Sequence, residues 1–344
     1  MVMTSRFLSI LICILTANFF VGCGDGGSAD PAQGSKANAK TVAVIPKGLT
    51  HEFWKSIHAG AVKASREIND GLEAPSIEIL WKGALKEDDR EAQINIVDTM
   101  ILREVDGIVL APMDDQALVN PINKAKSVDI PVVVVDSGVQ SENIDSFVAT
   151  DNFEGGRLGG EHLAKLLGGK GNVILVRYQE GSASTTKREN GFLNAMEAYP
   201  DIKILSSNQY SGATRETALK LAENLGRTYG DQLDGVFCPC EPVTVTMVKA
   251  LKDLSLAGGK VKIVGFDASE ASVNDLKAGD VQALVLQDPV KMGYLGVKAI
   301  VSVLEGKPVE KRIDTGVEIV TMENMSDQRS QELLYPPLKE FLGE

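Results

Sequence analysis

"DGIVLAPMDDQALVNPINKAKSVDIPVVVVD", residues 106–136, carries two apolar runs separated by a more polar stretch. The runs 107–111 and 130–136 are rich in Val and Ile and show no polar alternation. Strands of that kind are buried on both faces, as in a parallel sheet covered by helices. The stretch 115–127 between them is predicted to be the helix that such a crossover needs. The same order returns further along: "DGVFCP" starts at Asp234, a helix is predicted near 243–256, and "KIVGFD" ends at Asp267. In both places a strand, a helix and a second strand end in an aspartate. This echo predicts two α/β domains of similar topology.

Working outward, strands are predicted at 41–46, 77–81 and 146–150, with helices at 53–68, 88–104 and 153–167. The second round has strands at 172–176, 202–206, 281–287 and 317–321, with helices at 186–198, 214–228 and 289–305. The expected fold class is therefore α/β, with two similar doubly wound parallel-sheet domains.

The chain has 344 residues, 44% hydrophobic and 24% charged, which suits about two domains. Its first 22 residues differ: Arg6 is their only charge, and Phe7 to Val21 is largely apolar. A run of about 15 residues is short for a membrane span and fits a signal-peptide core. Phe20-Val21-Gly22-Cys23 resembles a bacterial lipobox, with Phe20 where leucine is usual. That resemblance implies cleavage before Cys23 and lipidation of Cys23, with 1–22 as lipoprotein signal peptide. Residues 23–40, dominated by Gly, Ala, Ser and Pro after the cysteine, are then a flexible tether. The formal charge of −12 becomes −13 once Arg6 is removed. An acidic chain lacks the basic footprint that nucleic acid requires. Only Cys238 and Cys240 remain after cleavage, so no disulfide framework is expected. Neither belongs to a set with metal-ligand spacing. Cys238 falls at an apolar strand position, and Cys240 in the turn just beyond.

In open α/β sheets ligands bind beyond the carboxyl ends of the strands. Those ends supply His51, Phe53 and Trp54 after the first strand, together with Lys47. Asp136 and Ser137 follow the fourth. The segment 177–192 brings Ser184, Thr185, Thr186 and Arg188, and later ends add Cys240, Glu241, Asp267 and Gln287. Carboxylates accept from hydroxyls, arginine donates a planar fork, and an amide does both. Aromatic faces cover the apolar side of a sugar ring. The set fits a pocket for a monosaccharide or related polyol. Plainer readings stand beside it. Asp136 and Asp267 are equally placed to cap helices, and Arg188 to pair with Glu189 or Glu180. Of the adjacent Phe53 and Trp54, one is expected to face away from the cleft.

"VAVIPKGLTHEFW", "PVVVVDS", "ATDNFEGGRLGGEHLAK", "ASTTKRENGF", "IVGFD" and "LVLQDPVKMGYLGVKA" together resemble type I periplasmic binding proteins, specifically the ribose-binding-protein-like sugar receptors of ABC importers. The resemblance spans roughly 40–325. It implies a three-crossing hinge, with crossings near 148–153, 286–290 and 313–317. An N-terminal domain of 41–149 plus 288–314 and a C-terminal domain of 150–287 plus 315–344 follow. It implies ligand contacts at the aromatic pair, Asp136, Arg188, Asp267 and Gln287. It sets His51 and Cys240 where ribose binders have asparagine, and Ser137 and Thr186 where they have arginine. Those departures imply a hydroxyl pattern other than ribose. The implied protein is a monomeric, lipid-anchored solute receptor of the periplasm or cell envelope. It passes its ligand to an ABC permease and uses no cofactor. The alternative is a periplasmic sensor presenting a sugar-like or furanosyl signal to a chemoreceptor or histidine kinase. No GxSxG, HExxH or GxxxxGK[ST] is present, and "GGRLGG" lacks dinucleotide-site spacing, so no enzyme is expected.

Overall fold

The computed structural model describes residues 39–343. The signal peptide, Cys23 and all but the end of the tether lie outside the described residues.

Two six-stranded sheets form the frame. The first is built from β1 (Lys40–Ile45), β2 (Ile77–Trp81), β3 (Gly107–Leu110), β4 (Val132–Val135), β5 (Ser146–Ala149) and β11 (Arg312–Asp314), in the order β2-β1-β3-β4-β5-β11. The second contains β6 (Gly171–Leu175), β7 (Ile202–Ser206), β8 (Gly235–Phe237), β9 (Lys262–Phe266), β10 (Ala283–Leu286) and β12 (Glu318–Val320), in the order β7-β6-β8-β9-β10-β12. The orders are the same, so the echo in the sequence is an echo in topology. Every pairing is parallel except β10 with β12. In β3 and β4 every residue is buried, because helices cover both faces.

The first sheet is covered by α1 (Glu52–Asn69), α2 (Arg90–Leu102), α3 (Val119–Ser127) and α9 (Pro289–Leu304). The second is covered by α4 (Asn152–Leu166), α5 (Ala183–Met196), α6 (Arg215–Tyr229), α7 (Glu241–Asp253), α8 (Glu270–Ala278) and α10 (Gln328–Leu334). Caps mark where several begin. Asp89, Asp151 and Asp288 accept from backbone N–H groups in the first turns of α2, α4 and α9, and Ser269 forms a capping box with Ser272.

Glycines bring two helix pairs into close contact. A Cβ on Gly60 would lie 1.9 Å from the Val290 carbonyl oxygen, and one on Gly293 2.0 Å from that of Ile57, so α1 and α9 touch backbone to backbone. Likewise a Cβ on Gly156 would lie 1.9 Å from the Arg188 carbonyl oxygen. Gly156 and Gly160 of "GGRLGG" therefore seat α5 on α4, while Gly155 and Gly159 seat α4 against Phe266 and Phe237 of the sheet.

The chain passes between the sheets after β5, after β10 and between β11 and β12. These passages are tied together: the Thr150 and Thr315 hydroxyls lie 3.3 Å apart, and Arg312 Nη2 donates to the Thr150 carbonyl at 3.1 Å. A further passage was not foreseen. Leu333 and Leu334 of α10 enter the second core, whereas α11 (Leu338–Leu342) packs on α1 beside the first sheet. Arg66 fixes it there by donating to the Glu340 and Phe341 carbonyls. The C-terminal segment thus contacts both halves. Other differences are local. α3 starts at Val119, not 115, because the Asp114 carboxylate accepts from Gln116 and Ala117 N–H and holds a turn there. α5 starts earlier than expected, which places Ser184 and Thr185 on its first turn.

Candidate functional site

The carboxyl ends of both sheets face a common cleft, with a cavity of about 40 Å³ between them. β1 and β6 lie at the points where strand order reverses in their sheets, the usual ligand position in such folds. The first half contributes Lys47, His51, Phe53, Trp54, Glu87 and Asp136. The second contributes Tyr178, Ser184, Thr185, Arg188, Glu241, Pro242 and Asp267, with Gln287 at the second passage.

Asp136 and Asp267 end the two echoed strands, and both adopt the left-handed conformation, at φ 61 and φ 66. Their backbone N–H groups make equivalent bonds, to Val148 and Val285 carbonyls at 3.0 Å. Each carboxylate is thereby turned out of its strand towards the cavity. Asp136 lies 3.2 Å from the Lys47 ammonium. Gln287 Nε2 donates to Asp267 at 2.6 Å, and Arg188 stands 3.6 Å away. Burial pushes the Asp267 carboxyl above its usual range, against the opposing influence of Arg188 and Gln287.

Arg188 is buried and held on three sides. It donates to Asn152 Oδ1 at 2.7 Å and to the Pro239 carbonyl at 2.9 Å, and lies 4.1 Å above the Phe266 ring centroid. It is not the surface partner of Glu189, which pairs with Arg177 at 2.7 Å. Phe53 and Trp54 both line the cavity, contrary to the expectation that one would face away. They occupy the first turn of α1, whose end abuts the cleft, and their rings meet edge to face at 5.0 Å.

Glu87 and Tyr178 were absent from the expected set. Glu87, in the loop between β2 and α2, accepts from Trp54 Nε1 at 2.7 Å and from Tyr178 Oη at 3.0 Å, and pairs with His51 Nδ1 at 2.5 Å. Burial works against its charge, but the His51 hydrogen bond and charge outweigh it, and its pKa falls below the usual range. Burial likewise opposes a charged His51, yet the bond to Glu87 leaves the His51 pKa raised. Lys47, noted among the strand ends, reaches across to Ser184 at 3.1 Å and Ser182 at 3.4 Å.

Three expected residues do not line the cavity. Ser137 is fully buried, and its hydroxyl accepts from Ser184 N–H at 3.1 Å, joining the halves instead. Thr186 points off the lining face of α5, where its neighbours Ser184 and Thr185 stand. Cys240 is buried at the N-terminus of α7, directly behind Glu241. Burial pushes both the Cys238 and Cys240 thiols well above their usual range, and both cysteines are unpaired. Among the described residues no cluster of His, Cys, Asp and Glu could hold a metal ion, and no helix is long and apolar enough to cross a membrane.

Two buried acceptors in the lining have no partner: Glu241 Oε2 and Gln287 Oε1. The other Glu241 oxygen is taken by Arg215 at 2.6 Å. Two α/β lobes, a tripled hinge and a polar cavity with vacant acceptors define a two-lobed solute-binding protein. The sequence matches the periplasmic binding protein domain over residues 42–308, and the chain belongs to that family. It is 30% identical over 290 residues to a D-ribose/D-allose-binding protein of Pseudomonas aeruginosa, covering 81% of this chain and 88% of that one. A ribose import binding protein of Haemophilus influenzae is 27% identical over 291 residues, covering 84% and 94%. Among solved structures, a carbohydrate transporter solute-binding protein from Agrobacterium radiobacter in complex with D-arabinose is similar with a TM-score of 0.80 and 31% identity, covering 87% of this chain and 99% of that one. These relatives are substrate-binding proteins, not enzymes.

Proposed function

We propose that this protein captures a monosaccharide or related polyol in the cleft and delivers it to an ABC-type importer. The observation that carries the reading is the pair of vacant buried acceptors, Glu241 Oε2 and Gln287 Oε1, beside the ionisable Asp136 and Asp267. Left empty, buried acceptors are costly, about 1–3 kcal/mol each. A ligand rich in hydroxyl donors removes that cost, and the Phe53–Trp54 edge offers an apolar wall for ring C–H groups. The proposed site is His51, Phe53, Trp54, Asp136, Arg188, Asp267 and Gln287, extended by Lys47, Glu87, Tyr178, Ser184, Thr185 and Glu241. Ligands reported for similar proteins, ribose, allose and arabinose, lie in the same class.

The domains we assign are 41–149 plus 288–314 and 150–287 plus 315–344, with residues 338–342 docked on the first. Closure about the passages brings Asp136 and Asp267 onto one ligand, a population shift driven by contacts made only when shut. Cys23 lipidation holds the receptor at a membrane of the cell envelope, through the tether 24–40. Cys23→Ser should release it into the soluble fraction.

The test is a thermal-shift panel on purified, ligand-stripped protein with pentoses, hexoses and cyclic polyols, beginning with D-ribose, D-allose and D-arabinose. A ligand at 100 times its Kd adds about 2.7 kcal/mol of stability. A panel that produces neither a shift nor heat in calorimetry refutes the reading.

A further inference from the structure

The Glu87 carboxylate lines the cavity, yet both of its oxygens are already occupied by protein. Oε1 takes Trp54 Nε1–H at 2.7 Å and faces His51 Nδ1 at 2.5 Å, and Oε2 takes the Tyr178 hydroxyl at 3.0 Å. Trp54 stands on the first turn of α1 and His51 just before it, as its N-cap residue, and Tyr178 follows β6 on the opposite half. The Glu87 backbone carbonyl adds a second tie, accepting from Gln179 Nε2 at 3.2 Å. The contrast with Glu241 and Gln287 is clear, since each of those keeps one oxygen vacant. His51 and Glu87 also separate the inner cavity from an outer space lined by Thr50, Lys55, Lys86, Thr214 and Arg215.

We infer that Glu87 is a positioning residue of the ligand site: a single carboxylate orients the Trp54 indole and the His51 imidazole and couples that wall to Tyr178 across the cleft. This rests on the cavity being the ligand site. Three donors converge on one acceptor group, so the wall is fully assembled only when the two halves meet. Closure then does more than enclose the ligand. It completes the surface against which the ligand is read, and a ligand that holds the halves apart meets a loosened wall. A glutamine replaces Glu87 only in part: its NH₂ can donate to the Tyr178 hydroxyl oxygen, but it lacks the charge that faces His51.

The experiment uses Trp81→Phe as background, which leaves Trp54 as the sole tryptophan of the two in the chain. Glu87→Gln, Tyr178→Phe and the double variant are compared by Trp54 emission without ligand and at saturating ligand, which holds the halves together. They are also compared by dissociation rate for whichever of D-ribose, D-allose and D-arabinose binds. Expected is a change in the Trp54 emission of the liganded Tyr178→Phe variant, although Tyr178 sits on the other half. A larger change is expected in Glu87→Gln, and no further change in the double variant. Dissociation should quicken about 10- to 100-fold in Glu87→Gln, the worth of a hydrogen bond to a charged group. Unchanged emission in liganded Tyr178→Phe, or effects that simply add in the double variant, overturns the coupling. If none of the three sugars binds, the wider panel supplies the ligand; a panel that yields none removes the cavity reading and the role of Glu87 with it. An Asp267→Asn arm separates the two readings. If it loses binding while the Glu87 and Tyr178 variants behave as wild type, only the role of Glu87 falls. If all three bind as wild type, the cavity is not the site.

Discussion

Replacing Asp267 with asparagine should abolish most ligand affinity without lowering the stability of the empty protein. The choice of asparagine follows from the backbone. Asp267 sits at φ 66, a conformation that asparagine tolerates and alanine does not, at about 1–2 kcal/mol. An alanine variant would mix that strain with the loss of the carboxylate. Asparagine keeps the shape and removes the charge. If the carboxylate accepts from one or two ligand hydroxyls, each charged hydrogen bond contributes about 1.5–3 kcal/mol. The expected loss is therefore about tenfold for one weak bond and on the order of 10⁴-fold for two strong ones. Stability should move the other way. The folded pKa of Asp267 is raised, chiefly by burial. Above that raised pKa the ionised group costs stability relative to the unfolded chain, where it is solvated. At neutral pH an uncharged asparagine escapes this cost, although Arg188, 3.6 Å away, loses a counter-charge. The same titration makes wild-type affinity fall as pH drops through the raised pKa, because a protonated carboxyl accepts poorly. Isothermal titration calorimetry from pH 4 to pH 8, with thermal denaturation of the empty protein, checks all three. Affinity within twofold of wild type, or a loss of affinity that merely follows a loss of stability, would refute the reasoning.

Gly156→Ala should disturb both stability and binding. Its Cβ would sit 1.9 Å from the Arg188 carbonyl oxygen, so α5 must move and carry Arg188 with it; urea denaturation and calorimetry measure the two losses. Cys240→Ser should stabilise the protein by about 0.5–2 kcal/mol, because a hydroxyl at the N-terminus of α7 is a better cap than a buried thiol. Ligand preference should stay the same, since Cys240 does not line the cavity. Arg66→Ala should release α11 from α1 by removing two hydrogen bonds to carbonyls. Limited proteolysis around 336–343 should then quicken while the global melting temperature changes little, the Arg66 bonds being exposed.

Most of the fold was legible because parallel sheets leave a strong sequence mark. A strand buried on both faces, such as Val132–Val135, must be apolar throughout, and the return of that pattern at Lys262–Phe266 announced the second domain. The missed elements are those whose placement is not set by a local pattern. β11 is three residues long with Arg312 and Asp314 exposed, and its pairing with β5 depends on the chain returning from α9. α11 buries no residue fully and is held by Arg66, far away in sequence. The early start of α5 also escaped, because Ser182, Ser184 and Thr185 look like a loop until the contacts across the cleft are known.

The site divides along the same physical line. Asp136, Asp267 and Gln287 were visible because each directly follows a recognisable strand, where geometry alone forces a residue into the cleft. Glu87 was invisible because it sits six residues past Trp81 in an irregular loop, "KGALKEDD", with other acids beside it. Nothing local distinguishes Glu87 from Asp88 or Asp89. What does so is the donors that reach it: Trp54 and His51 from one helix, and Tyr178 from the facing half. Tyr178 was likewise hidden, since its hydroxyl becomes informative only once its partner is known. Ser137 and Thr186 stand at positions that a single-residue view assigns to the ligand, yet one holds the cleft together and the other turns away. A strand-end position therefore says which loop reaches the ligand. Which side chain in that loop reads it is decided by what the opposite half presents, and that depends on contacts formed between residues remote in sequence.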